Sequence, residues 1–231
     1  MQNPTRRFLP AAGSDWLLPL YDPLCRLLGA ERLRERLIAT AGIRAGQRVL
    51  DLGCGTGELS LAIQRRHPEA RVVGVDPDPK ALARARAKAV RAGLEPTFDE
   101  AFGGDLPYPD GSFDRVLSSL VLHHLMHDEK LEALREVRRV LAPGGALHVL
   151  DLGPPRSALE RRLTHFFHWS ERARDNVAGR LPEMAREAGF PDARETERLA
   201  SRFGSISLLV ASAPSASTLR DRGEAQCRTI S

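Results

Sequence analysis

Asp51, Gly53, Gly55 and Gly57 stand two residues apart in the string Val49-Leu50-Asp51-Leu52-Gly53-Cys54-Gly55-Thr56-Gly57. One carboxylate followed by alternating glycines suits ligand holding better than core filling. Glycine has no Cβ, so such a chain can turn sharply and admit a ligand against its backbone. Asp76, 19 positions beyond Gly57, closes the β-branched run Arg71-Val72-Val73-Gly74-Val75-Asp76. A carboxylate at that spacing can accept both hydroxyls of a ribose. The chemistry these residues point to is recognition of a nucleoside.

The elements that must position them follow from the local pattern. Val49 and Leu50 end an apolar strand, Arg48 to Leu52, and Glu58 to Arg66 reads as a helix with Leu59, Ala62 and Ile63 on one face. Strand, glycine loop and helix N-terminus together make a nucleotide-type site at the carboxyl edge of a parallel sheet. A dinucleotide fold would use the same ribose carboxylate, so NAD or FAD is the alternative ligand. Its loop, however, is G-x-G-x-x-G, whereas this one is G-x-G-x-G. No Lys or Arg lies in the loop to meet a pyrophosphate, and Asp51 suits a cationic ligand.

The pattern D-x-G-x-G-x-G over Asp51 to Gly57 resembles motif I of the class I S-adenosylmethionine-dependent methyltransferases. Leu20-Tyr21-Asp22-Pro23-Leu24 is similar to the segment that precedes this motif in ubiquinone/menaquinone-biosynthesis-type methyltransferases. A second stretch carries the likeness further: Phe113-Asp114, then Leu122-His123-His124-Leu125, then a helix ending Val140-Leu141-Ala142-Pro143-Gly144-Gly145, then Asp151. The match runs across residues 20–151.

The resemblance implies an α/β fold: a Rossmann-like seven-stranded sheet, mostly parallel with an antiparallel last strand, in the order 3-2-1-4-5-7-6. An N-terminal helical lid would occupy residues 1–44, the methyltransferase domain 45–212, and a disordered tail 213–231. It implies S-adenosyl-L-methionine as cofactor, held by Tyr21, Asp51, Gly53, Cys54, Gly55, Thr56, Gly57, Asp76, Pro77, Phe102, Gly103 and Ser119. Related chains place an acid facing the adenine amino group where this one has Phe102. Either Phe102 walls the adenine, or Glu100 or Asp105 takes the acid's part in a bulged loop. The implied activity is methyl transfer to a small acceptor by in-line displacement. Positioning does much of that work. His123 and His124 are the residues that could serve as a base, with Tyr21, His165 and His168 behind them. A non-catalytic cofactor-binding protein of the same fold is the other reading.

Between these motifs the chain reads as alternating helices and strands. Asp78 can cap a helix begun by Pro79, with Ala81, Leu82, Ala85, Ala89 and Val90 inward and Gly93 as its stop. Strand three covers Pro96 to Ala101, strand four Phe113 to Ser119, and a helix Glu129 to Leu141. Pro143-Gly144-Gly145 ends that helix before strand five, Ala146 to Asp151. Arg156 to Trp169 reads as an aromatic-rich helix, a wall for an apolar acceptor or simply core. A helix from Leu181 and a hairpin, Arg194 to Ala200 with Ser205 to Ala211, follow.

Composition bounds the rest. At 231 residues and 42% hydrophobic content the chain can build one α/β domain. Its 34 Lys and Arg against 30 Asp and Glu are scattered along helices, which argues against a nucleic-acid partner. Three cysteines without disulfide or metal spacing fit a reducing cytoplasm, and no metal is expected, since the adjacent histidines lack a third ligand nearby. Thr5-Arg6-Arg7-Phe8-Leu9 imitates a twin-arginine signal, but Asp15, Pro19, Asp22 and Pro23 interrupt the apolar core such a signal needs. No run reaches the roughly 20 apolar residues of a membrane span, so no stable membrane anchoring is expected. Sequence leaves the acceptor and the oligomeric state open.

Overall fold

The computed structural model describes residues 29–158, 160, 171–202 and 204–215. Tyr21 and its neighbours, the aromatic run with His165 and His168, and the chain from 216 onward lie outside the described residues. In chain order the elements are α1 (Ala30–Ala41), β1 (Arg48–Leu52), α2 (Glu58–Arg66), β2 (Arg71–Asp76), α3 (Pro79–Ala92), β3 (Thr97–Glu100) and β4 (Phe113–Ser119). There follow α4 (His127–Val140), β5 (Leu141–Leu152), α5 (Arg174–Val177), α6 (Leu181–Glu187), β6 (Arg194–Ser201) and β7 (Gly204–Ser212).

The seven strands form one sheet in the order β3-β2-β1-β4-β5-β7-β6. β1 pairs parallel with β2 and with β4, while β7 runs antiparallel between β5 and β6. Strand order therefore reverses between β1 and β4, the place where an open α/β sheet leaves a crevice at its carboxyl edge. Helices cover both faces, so β1 is apolar in both directions. Leu50 and Leu52 pack into the cluster that holds Leu134 and Val137 of α4. Val49 points the other way, onto Leu37 of α1 and Ile63 of α2. Leu50 is fully buried, and truncating such a residue to Ala costs about 2–5 kcal/mol.

Two elements differ from the sequence reading. Val90 is 80% exposed rather than inward, because the packed stripe of α3 is made by Ala81, Leu82, Ala85 and Ala89 alone. Helix α4 stops at Val140, and Pro143-Gly144-Gly145 lies inside the long β5 instead of before it. The pairing of β4 with β5 slips there, from Phe113 opposite Leu141 to Arg115 opposite Ala146. The three residues form an irregularity at the sheet margin, where such an insertion bends a strand without breaking its core register.

Candidate functional site

The glycine loop leaves β1 and is bound down onto β2. Gly53 and Cys54 both donate their N–H to the Val75 carbonyl, at 2.8 and 3.0 Å, and Gly57 N–H closes a turn onto Cys54 O at 2.8 Å. Gly53, Gly55 and Gly57 have φ of 71°, 51° and 80°, the left-handed region that costs other residues free energy. Each glycine has its own reason. A Cβ at Gly53 would come within 2.5 Å of Val121, and one at Gly57 within 2.8 Å of Ala85. A Cβ at Gly55 would meet nothing within 4 Å. It would project into the cleft, in the space a ligand lying on the backbone needs.

Asp76, at the tip of β2, reaches back to this loop. Its Oδ2 accepts from Gly55 N–H at 2.8 Å and its Oδ1 from Asp78 N–H at 2.9 Å. Burial raises its pKa, opposed by those two hydrogen bonds. Asp51 is almost wholly buried and accepts from the Ser60 hydroxyl at 2.6 Å. Burial pushes it up to about 7, despite the pull of Ser60 and of Arg34. Burial and the two carboxylates drive the Cys54 thiol well above its usual range, so it is an inert wall rather than a nucleophile.

These residues line one open cleft at the switch point. Asp51, Gly53, Cys54, Gly55, Thr56, Asp76, Pro77, Phe102, Gly103 and Ser119 all border it. Gly57 does not; it caps α2 and makes room for Ala85 and Phe98. Phe102, Gly103 and Gly104 face the cleft, whereas Glu100 and Asp105 are not part of its wall. Of Phe102, Glu100 and Asp105, Phe102 is thus the one that borders the cleft. A network anchors the segment behind it. Glu136 of α4 accepts from Leu106 N–H, Arg139 donates to the carbonyls of Leu106 and Tyr108, and the Tyr108 hydroxyl donates to Asp99.

The two histidines part company beyond β4. His124 borders the cleft, and burial, the His123 ring and Arg172 push its pKa down to about 4, so it is neutral near pH 7. His123 turns its Nδ1 to Asp151 Oδ1 at 2.7 Å. Asp151, fully buried near the end of β5, also accepts from the N–H groups of Val121, Leu122 and Leu152. Burial would raise its pKa, but the His123 ring and these hydrogen bonds outweigh it and hold the carboxyl low. Sequence reading missed Asp151 as a site residue, although it is an acid at a strand tip like Asp51 and Asp76. It also missed Leu120, a cleft residue with φ of 59°, a conformation worth roughly 1–3 kcal/mol of strain outside glycine. Arg34 of α1 and Arg172 border the cleft as well.

A family model described as a methyltransferase domain matches residues 49–145. The demethylmenaquinone methyltransferase of Deinococcus radiodurans is 36% identical over 195 residues, covering 80% of this chain and 78% of that protein. The chain belongs to the class I S-adenosylmethionine-dependent methyltransferases. Its cofactor is S-adenosyl-L-methionine. The demethylmenaquinone methyltransferase of Thermus thermophilus is 48% identical over 142 residues, 60% of this chain, and the match spans 64% of that relative's length. The solved YcgJ protein from Bacillus subtilis has a TM-score of 0.68 at 20% identity, covering 80% of this methyltransferase and all of that chain. That likeness is one of fold. Among the described residues of this methyltransferase no helix is long and apolar enough to cross a membrane.

Proposed function

We propose that this methyltransferase moves a methyl group from S-adenosylmethionine to a ring carbon of a reduced, quinone-type small molecule, of the class named in the two relatives above. The single observation that carries the reading is the cleft itself. It runs unbroken from Asp76 and the glycine loop, across the tip of β4, to His124 and Arg172. In this reading the glycine-loop end takes the cofactor and the end at His124 and Arg172 takes the acceptor.

In this reading Asp76 accepts the ribose hydroxyls while steadying Gly55, and Phe102 and Gly103 wall the adenine. Asp51, Ser119 and the loop backbone surround the cationic end, with Pro77, Cys54 and Thr56 completing the wall. The cofactor supplies a methyl already activated on a positively charged sulfur, so the chain's task is to align an electron-rich carbon with it and exclude water. Outside the described residues, Tyr21 keeps its role as a proposed cofactor contact. The acceptor is a small molecule and not a nucleic acid, in keeping with the near-balanced charge, and the compartment is the cytoplasm, in keeping with the cysteine pattern.

Of the two histidines considered as a base, His124 borders the cleft, whereas His123 is paired with the buried Asp151 and is not part of the cleft wall. Turnover of methyl-labelled cofactor with a panel of reduced naphthoquinols, simple phenols and amines tests the reading. Quinols should lead by at least tenfold in kcat/KM, and equal or better turnover of amines contradicts the proposal.

A further inference from the structure

The cleft holds a cation that the cofactor reading leaves without a task. Arg172 lies in a short turn between β5 and α5, on the half of the sheet away from Asp76 and the glycine loop. Its Nη1 donates to the His124 carbonyl at 2.7 Å and lies 3.4 Å from Glu129 Oε2. Nε and Nη2 have no hydrogen-bond partner among the described residues. A guanidinium offers five N–H donors in a planar fork, matched to oxyanions.

The backbone beneath Arg172 is held tightly. Lys130, fully buried in α4, donates its Nζ to the Arg172 carbonyl and to Asp175 Oδ2 at 3.3 Å. Asp175 also accepts from His127 Nδ1 at 3.1 Å and from Arg180 at 3.3 Å. Burying an ammonium is costly unless it is paired and hydrogen-bonded, and here the pairing fixes the one turn that brings Arg172 to the cleft. The charged or titratable groups around the guanidinium are Glu129 and Lys130 from α4, His124 after β4 and Asp175 from α5. Two carboxylates of α4, Glu129 and Glu132, also border the cleft, and His124 is neutral. The guanidinium's Nε and Nη2 are the donors left for a negative ligand.

We propose that Arg172 is the acceptor's oxyanion anchor, holding the ionised hydroxyl of a quinol or phenol beside the carbon to be methylated. The inference rests on the proposed quinol methylation and names the subsite that selects for it. An ionised hydroxyl pushes electron density onto the adjacent ring carbon. That carbon forms the new bond to the methyl group, and the C–S electron pair stays on the sulfur, which becomes neutral. The carbon then gives up its proton to solvent water at the open mouth of the cleft, and the C–H electron pair restores the aromatic hydroxylate. A guanidinium at the oxygen stabilises the ionised form throughout. Lys130 and Asp175 are positioning residues for it.

The test uses the full chain loaded with S-adenosylhomocysteine and 4-methoxy-1-naphthol, a single-hydroxyl probe that does not cycle as a quinone. Calorimetry on the parent should show naphthol binding that tightens from pH 7 to pH 9. Arg172→Gln should weaken naphthol binding at least fivefold and remove that pH dependence, while Arg172→Lys retains part of both. Affinity for S-adenosylhomocysteine should stay within twofold in both variants, a readout that a collapsed fold would move. Equal naphthol affinity in Arg172→Gln and parent overturns the anchor, and so does a parent complex that takes up no naphthol. A parent that fails to bind S-adenosylhomocysteine would instead count against the methyltransferase reading itself.

Discussion

Gly55 and Asp76 meet at the floor of the cleft, the Gly55 N–H donating to Asp76 Oδ2 at 2.8 Å. The carboxylate thus does two things from one position. Its two oxygens hold the glycine loop and the turn into α3, and each retains a lone-pair direction for a ligand hydroxyl. Asp76→Ala removes both functions together. Calorimetry with S-adenosylhomocysteine should show a loss of about 1.5–3 kcal/mol, the size of hydrogen bonds to an ionised group, together with a lower melting temperature. Asp76→Asn, which keeps one acceptor oxygen for the loop, should melt nearer the parent while still binding weakly. Affinity in Asp76→Ala within twofold of the parent would remove the ribose assignment.

Two glycines of the loop should fail in different ways. Gly55→Val places its side chain in open cleft, so the fold survives with a melting temperature a few degrees lower, from strain of about 1–2 kcal/mol at positive φ. Cofactor binding should be abolished. Gly53→Ala drives a methyl against Val121 at 2.5 Å, so its damage should appear first in stability. Normal binding by Gly55→Val would reduce the loop to a structural turn.

Phe102 stands where related chains carry an acid, and it borders the cleft while Glu100 and Asp105 do not. Phe102→Ala should therefore weaken cofactor binding by about 1–3 kcal/mol with little change in melting temperature, as an aromatic wall is lost. Phe102→Asp should stay folded. If Glu100→Ala or Asp105→Ala carries the binding loss instead, the adenine is held by an acid in a rearranged loop.

Asp51 gives a pH dependence with a definite sign. Its pKa is about 7 in the folded protein against an ordinary value near 3.8, so the folded state holds the extra proton between those limits. Its contribution to stability is fully present below pH 4 and is lost as pH rises towards and through 7. His124 and His148, both pushed down to about 4 by burial first, act in the opposite sense, losing stability as pH falls from 6.5 towards 4. The difference between variant and parent is therefore the informative quantity. Asp51→Asn should gain in melting temperature relative to the parent as pH rises from 4 to 8. A flat difference over that range would mean that Asp51 ionises freely.

Much of this site can be read in the chain because its determinants are local. Asp51, the glycines and Asp76 sit at strand tips, and the parallel direction of β1 and β2 brings these tips to the same edge of the sheet. The strand order is the one that the family resemblance implied. What escaped depends on contacts between distant segments. The His123–Asp151 pair joins residues 28 positions apart, and Arg172 meets His124 across 48. No periodicity encodes either. Gly57 and Gly55 look alike in sequence, yet one faces Ala85 and the other the cleft. The Pro143-Gly144-Gly145 stretch looks like a helix stop because those residues oppose helix, and it lies within a strand margin that tolerates them equally well.

The most direct measurement is the position of the methyl group in the product. Reduced demethylmenaquinone with a short isoprenoid tail is incubated with the full chain and cofactor carrying a carbon-13 methyl, and the product is examined by mass spectrometry and carbon NMR. The account predicts one added methyl per ring, bonded to carbon, with stoichiometric S-adenosylhomocysteine. A methyl found on oxygen, or no methylated quinol at all from protein that binds S-adenosylhomocysteine normally, would contradict it.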